Sequence, residues 1–227
     1  RRGDFDHAVA AYRRWEYLRR TAGDPEGVIL AQSAIAIAYR ENGDDEQAVE
    51  EFLRASALAK TSGILEKRID TANCAAKILL RRDRIPEAID LLEEVVTAVD
   101  ESDNRVPASA ELLVQFGRAL RLGRRPVEAS RRLDEALSLA REFNHRPAEA
   151  EACLELGYLQ REQGELDQAE RWFRRAADLF TEVSNHLGVA QSGLALAQAA
   201  ATLKGPEQGE PVLLKALKNA RVSKDKG

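Results

Sequence analysis

Cysteine and histidine are nearly absent from this chain of 227 residues, which holds two of the first and three of the second. Cys74 and Cys153 lie on separate apolar helical stretches with no second Cys or His at ligand spacing. Neither a zinc site nor a disulfide framework is indicated, and two reduced, buried thiols are expected. His7 stands beside Asp4 and Asp6 and reads as a solvated residue of the first helical stretch. Catalytic signatures are missing too. There is no HExxH, paired Cys or GxSxG motif, and "GPEQGEP" at 205–211 has neither a Lys-Ser/Thr ending nor a strand before it. Carboxylates are plentiful, yet no two stand out as an acid/base pair; the densest run, "DDEQAVEE" at 44–51, reads as an acidic helix start favoured by the helix dipole. No enzymatic activity, cofactor or metal is therefore expected.

An excess of positive charge is missing as well. With 34 basic and 38 acidic side chains the formal net charge is -4, which argues against a nucleic-acid or membrane surface dominated by positive charge. No run of 18 apolar residues, signal peptide or lipidation motif occurs, and a soluble, cytoplasmic protein is expected. Aromatic residues are scarce at 5%, while 44% hydrophobic and 32% charged residues suffice for a large core beneath a solvated exterior. Methionine does not occur at all, and the opening "RRGDFDHAVAAY" reads as the middle of an element. A segment of a longer protein is expected.

What is present is self-similarity. An Ala recurs at Ala8, Ala48, Ala88, Ala129 and Ala169, with Gly209 as a sixth, at steps of 40 or 41 residues. Four residues beyond each stands a bulky apolar residue: Tyr12, Phe52, Leu92, Leu133, Phe173 and Leu213. Seven beyond, Ala55, Val95, Ala136, Ala176 and Ala216 recur, with Trp15 as the exception. Twelve before lies another small residue, at Ala36, Ala76, Gly117, Gly157 and Ala197. These intervals are helical, and strand alternation is nowhere sustained. Each period therefore holds two helices. Gly43, Asp83, Gly123, Gly164 and Gly205 are expected to carry a left-handed cap at the end of the first helix; Gly23, Gly63, Asn104, Asn144 and Asn185 do so for the second. In that register His145 and His186 are one repeat position occurring twice rather than a metal pair.

The copy "LGYLQREQGELDQAERWFRRA" at 156–176 shows the pattern best, with Gly157 and Ala169 as close-contact positions, Gly164 as the turn and Phe173 filling the space beside it. It resembles the tetratricopeptide repeat, with Gln160 where an aromatic is usual; the first full repeat keeps that aromatic as Tyr39, and the second departs most, with Ala75, Ala76 and Asp83. HEAT and armadillo repeats have similar periods but lack this spacing. The resemblance implies an all-α, right-handed superhelical solenoid of antiparallel helix pairs. The expected array is the second helix of a truncated repeat at 1–23, then five repeats at 24–63, 64–104, 105–144, 145–185 and 186–227. The usual repeat is about 34 residues, and the additional residues are expected mainly in the second helix. Long repeats of this kind resemble arrays in bacterial regulators of the maltose-activator type, peptide-sensing regulators and kinesin light chains. The resemblance implies binding rather than catalysis.

With about 100° per residue, positions one, four and five after the small residue form a face separate from the core. That face carries Arg40, Lys77, Arg81, Arg118, Arg121, Tyr158, Arg161 and Gln198, with Asn73 joining it. In the family the first helices line the concave groove, so the resemblance implies a partly basic groove suited to an acidic or C-terminal peptide. Helix dipoles alone also favour bases at these C-terminal ends, and Glu41 and Glu162 could neutralise them. Both readings stand: a peptide- or protein-binding module within a larger signalling or regulatory protein, or a spacer or self-association element without a ligand groove. Neither nucleic acid nor membrane is expected as a partner. At least one array end is expected to be covered, by further residues of a longer protein or by self-association with a second copy: Phe5, Tyr12, Trp15 and Leu18 at the start, favoured because of Trp15, or Val212, Leu213, Leu214 and Leu217 at the finish.

Overall fold

A computed structural model describes residues 2–102, 105–205, 207, 209–211 and 214. Among these every regular element is an α-helix: α1 (Arg2–Thr21), α2 (Pro25–Glu41), α3 (Asp45–Thr61), α4 (Leu65–Arg81), α5 (Ile85–Ser102), α6 (Pro107–Leu122), α7 (Pro126–Glu142), α8 (Arg146–Glu162), α9 (Leu166–Glu182) and α10 (His186–Lys204). The all-α expectation holds, and helices pack on their successors as antiparallel pairs.

One turn joins nearly all of them. At the end of α2 the Asp44 amide donates to the Tyr39 carbonyl at 2.9 Å and the Gly43 amide to the Arg40 carbonyl at 3.1 Å. This closes a Schellman motif around a left-handed residue. The same pair of bonds recurs after α1, α3, α4, α6, α7, α8 and α9. The residue after the left-handed one then opens the next helix. Asp24, Asp44, His145 and Asn185 each accept an amide hydrogen bond from three residues on, at 2.9, 3.2, 3.1 and 2.9 Å, satisfying a donor the helix cannot.

Three positional expectations are corrected by this turn. The left-handed residue after α6 is Arg124 (φ 60°), not Gly123: it follows Gly117 at the same interval as Gly43 follows Ala36 and Gly164 follows Gly157, and Arg125 bonds back to Leu120. After α9 it is Ser184 (φ 55°), not Asn185, which is the N-cap of α10. It follows that His145 corresponds to Asn185, and the two histidines are not one repeat position. Nor does the second helix take the additional residues: α2, α3, α4, α7, α8 and α9 are all 17 residues long. Asn104, Val212, Leu213, Ala216 and Leu217 lie outside the described residues.

The chain divides into two compact units, residues 1–115 and 116–227. In the first, α1 to α5 pack in succession, and α2 also touches α4. In the second, α7 to α10 pack in succession, and α8 also touches α10. The repeated positions form the core: Ala48, Ala88, Ala129 and Ala169 are fully buried, as are Leu92, Leu133 and Phe173, with Phe52 1% exposed. Gly157 is the seat of Phe173, since a Cβ there would lie 2.5 Å from the ring; a Cβ at Gly117 would lie equally close to Leu133. The small residue and the bulky one sixteen positions on are therefore one contact. Both cysteines are free. Cys153 is buried, and the loss of solvent, with Glu149 nearby, pushes its thiol up to about 12; Cys74 is half-buried.

Candidate functional site

The first-helix face can be followed within each unit. In the first, α2 supplies Arg40 and α4 supplies Asn73, Lys77 and Arg81. Arg40 is exposed, and no ion pair engages it among the described residues. Lys77 pairs with Glu111. Arg81 donates to Asp45 at 2.6 Å, and Arg82 reaches the other oxygen of that carboxylate at 3.0 Å. Asn73 is buried, and its Oδ1 accepts no hydrogen bond.

In the second unit, the end of α6 supplies Arg118 and Arg121, α8 supplies Tyr158 and Arg161, and α10 supplies Gln198. Arg121 is not a groove-lining cation but a buried one. Its Nε and Nη2 donate to Glu155 Oε2 at 3.0 and 2.8 Å, and its Nη1 to Glu162 at 2.5 Å. Burial opposes its charge, but Glu155 and Glu162 outweigh that and raise its pKa. Tyr158 lies within reach of two guanidinium groups, those of Arg121 at 5.2 Å and Arg161 at 5.1 Å from the ring centroid. It also meets Phe173 edge to face at 5.2 Å. Burial, then Glu155, pushes the Tyr158 phenol up. Arg161 donates to Gln198 Oε1 at 3.0 Å, and Arg118 approaches Glu155 at 3.6 Å.

The carboxylates that organise this face, Asp45, Glu111 and Glu155, were not among the expected site residues. Two of them were within reach of the angular rule: Glu111 falls about 120° and Glu155 about 160° from its small residue, on the basic face itself.

Residues 150–181, the segment that carries Tyr158, Arg161 and Phe173, match the sequence model of the tetratricopeptide repeat. The fold as a whole superposes on the crystal structure of BtubC (BKLC) from P. vanneervenii with a TM-score of 0.79 at 16% identity, covering 97% of this chain and 92% of that one. The fold is that of a tetratricopeptide-like helical array, with one segment matching the repeat in sequence. The tetratricopeptide array also resembles the apo form of RapI, with a TM-score of 0.71 at 13% identity over 98% of this chain and 76% of that one. A third structure is the Rap conjugation gene regulator of plasmid pLS20 in complex with the Phr* peptide. Its TM-score is 0.69 at 14% identity, covering 91% of this array and 57% of that chain. No curated protein matches the array in sequence.

Proposed function

We propose that the chain is a protein- or peptide-binding module of a larger signalling or regulatory protein, and that its first-helix face receives an acidic or C-terminal peptide segment. One observation carries this reading: at two places on that face a buried carboxylate lies beside an exposed base, although Arg121 and Glu162 show the opposite order. The Glu155 side chain is 7% exposed beside Arg118 at 45%, and Asp45 is 12% exposed beside Arg81 at 58%. Solvent therefore meets guanidinium N–H groups, although each cluster is close to neutral. A guanidinium has five donors, so an incoming carboxylate can add charge-assisted bonds to those already made. Arg40 and Arg161 are the strongest candidates, because neither is held in an ion pair among the described residues. The peptide complex of the Rap conjugation regulator supports the choice of a peptide as partner for a fold of this kind. Among the described residues no helix is long and apolar enough to cross a membrane; a cytoplasmic setting is part of the same proposal.

Titration calorimetry with an acidic peptide tests the reading. Arg40→Glu or Arg161→Glu should weaken binding about tenfold, a change of about 1.4 kcal/mol, without moving the urea midpoint. Wild-type binding should also weaken as salt rises to physiological strength, where screening acts over about 8 Å. Affinity indifferent to both substitutions and to salt would leave the spacer reading in place.

A self-association role is favoured by one feature, the adjacent exposed Tyr17 and Leu18 on α1, at 65% and 54%. Trp15, Tyr12 and Phe5 are half-buried, Phe5 edge-on to Tyr39 at 5.5 Å. A scattering mass that rises with concentration, and falls back in Leu18→Ser, is the expected outcome for that role.

A further inference from the structure

Three positions recur beside one another in successive repeats: the end of a second helix, the start of the following first helix, and the middle of the next second helix. In one copy they are Lys60, Arg68 and Glu94, and both bases donate to the glutamate at 2.7 Å. In another, 81 residues on, they are Arg141, Glu149 and Arg175, and both bases donate to the glutamate at 3.2 Å. Each set is two cations closed by one buried or bridging carboxylate. The set 40 residues before the first is Arg20, Val28 and Arg54. Two cations are again present, but the position that holds Glu149 is held by valine.

A cavity of about 600 Å³ opens at that place, lined by Arg20, Val28 and Arg54 together with Pro25, Leu58 and Gln32. Its walls are apolar and its two arginines are more than half exposed, at 64% and 52%. Gln32 is 5% exposed and donates through Nε2 to Glu16 at 3.1 Å, while its Oε1 is buried without a donor. Other repeats carry Ala72 and Cys153 in that position, so a buried amide is peculiar to this copy. An unpaired buried acceptor is destabilising, and a ligand N–H would relieve it. Both arginines already have partners: Arg20 donates to Glu16 at 2.8 Å, and Arg54 to Glu50 at 2.5 Å and Glu51 at 3.1 Å. Asp24, also on the lining, is engaged with the Gly27 amide and Arg19. The guanidinium groups keep further N–H donors for one more carboxylate.

We infer that this cavity between α1 and α3 is a second binding site, which takes the C-terminal residue of a peptide. The terminal carboxylate stands where Glu149 stands in the later repeat, between Arg20 and Arg54. The apolar side chain lies against Val28, Pro25 and Leu58, and the backbone N–H of the same residue donates to Gln32 Oε1. A C-terminal residue with an apolar side chain offers that combination of anion, apolar stem and adjacent donor. The site is separate from the first-helix face and does not depend on it.

The test uses the whole chain and a pentapeptide ending in leucine, as the free acid and as the C-terminal amide, with binding read by NMR titration and calorimetry. The free acid should bind, and the amide at least tenfold more weakly. Val28→Glu, which supplies in cis the carboxylate found at Glu149, should weaken the free acid at least tenfold. Arg54→Gln, whose buried partner Glu51 keeps Arg13, should weaken it severalfold without unfolding the chain in urea, while Arg171→Gln at an exposed position of α9 should leave it unchanged. Equal binding of acid and amide, no binding at millimolar peptide, or full binding by Val28→Glu would overturn the site. N-acetyl-leucine binding as tightly as the pentapeptide would overturn the assignment to a peptide.

Discussion

Arg121 and Glu155 form a nearly solvent-free pair, 34 residues apart in the chain, in which two guanidinium nitrogens converge on one carboxylate oxygen at 2.8 and 3.0 Å. Their side chains are 8% and 7% exposed. Removing one partner of such a pair strands the other charge in the interior, at a cost of about 3 to 5 kcal/mol. Arg121→Gln should therefore lower stability by that order in urea unfolding. Arg118→Gln, at a half-exposed site, should stay within about 0.5 kcal/mol. Equal effects would mean that the pair is hydrated in solution.

Gly157 and Phe173 supply a second expectation. A methyl group at Gly157 collides with a fully buried ring, so Gly157→Ala should cost about 1 to 3 kcal/mol from overpacking. In Phe173→Leu the same substitution should cost less, and a double-mutant cycle would read the coupling. Ala169→Leu should be costly too, whereas Arg171→Leu on an exposed position should not.

Arg124 and Ser184 occupy left-handed backbone that glycine holds in equivalent turns at Gly43, Gly63 and Gly164. Side chains with a Cβ are strained there, so Arg124→Gly and Ser184→Gly should each stabilise by roughly 1 kcal/mol, less the added freedom of glycine in the unfolded chain. Thermal unfolding midpoints that rise in both variants would agree with this.

Glu149 is buried among Arg146, Arg175 and Arg141. Burial works against its charge, but hydrogen bonds from the three arginines outweigh it and hold the carboxyl below its ordinary value. The unfolded chain then binds the proton more readily than the folded one. The stabilisation is fully present above the ordinary carboxylate value of about 4.3 and is lost as pH falls through the lower folded value. Glu149→Gln should cost about 1 to 3 kcal/mol at pH 7, and the gap from wild type in urea midpoint should narrow below pH 4. A gap independent of pH would show that the contribution is not electrostatic.

Helix pairs, their period and the buried positions were legible in the residues because each depends on neighbours a few positions away. The Ala, bulky and small positions recur at helical intervals, and glycine in a left-handed turn is a local preference. At Arg124 and Ser184 the turn keeps the register of the other repeats, but the left-handed position falls on residues without that local preference, next to Gly123 and Asn185, which have it.

Charge pairing was decided by tertiary structure. The angular pattern places Arg81, Lys77 and Arg121 on one face of their helices but cannot say which carboxylate each will meet. Asp45 lies 36, Glu111 34 and Glu155 34 residues from its base. Stacking of helices sets those distances, and a guanidinium settles on whichever acid the neighbouring helix brings within about 3 Å. Composition and register counted a basic row; the packed repeats turned Arg121 into an interior strut and left Arg40 and Arg161 outside it. At Val28 the same packing sets two arginines, held by Glu16, Glu50 and Glu51, beside an apolar residue where a later repeat has Glu149, because charge balance between repeats depends on which side chains converge in space and not on their order along the chain.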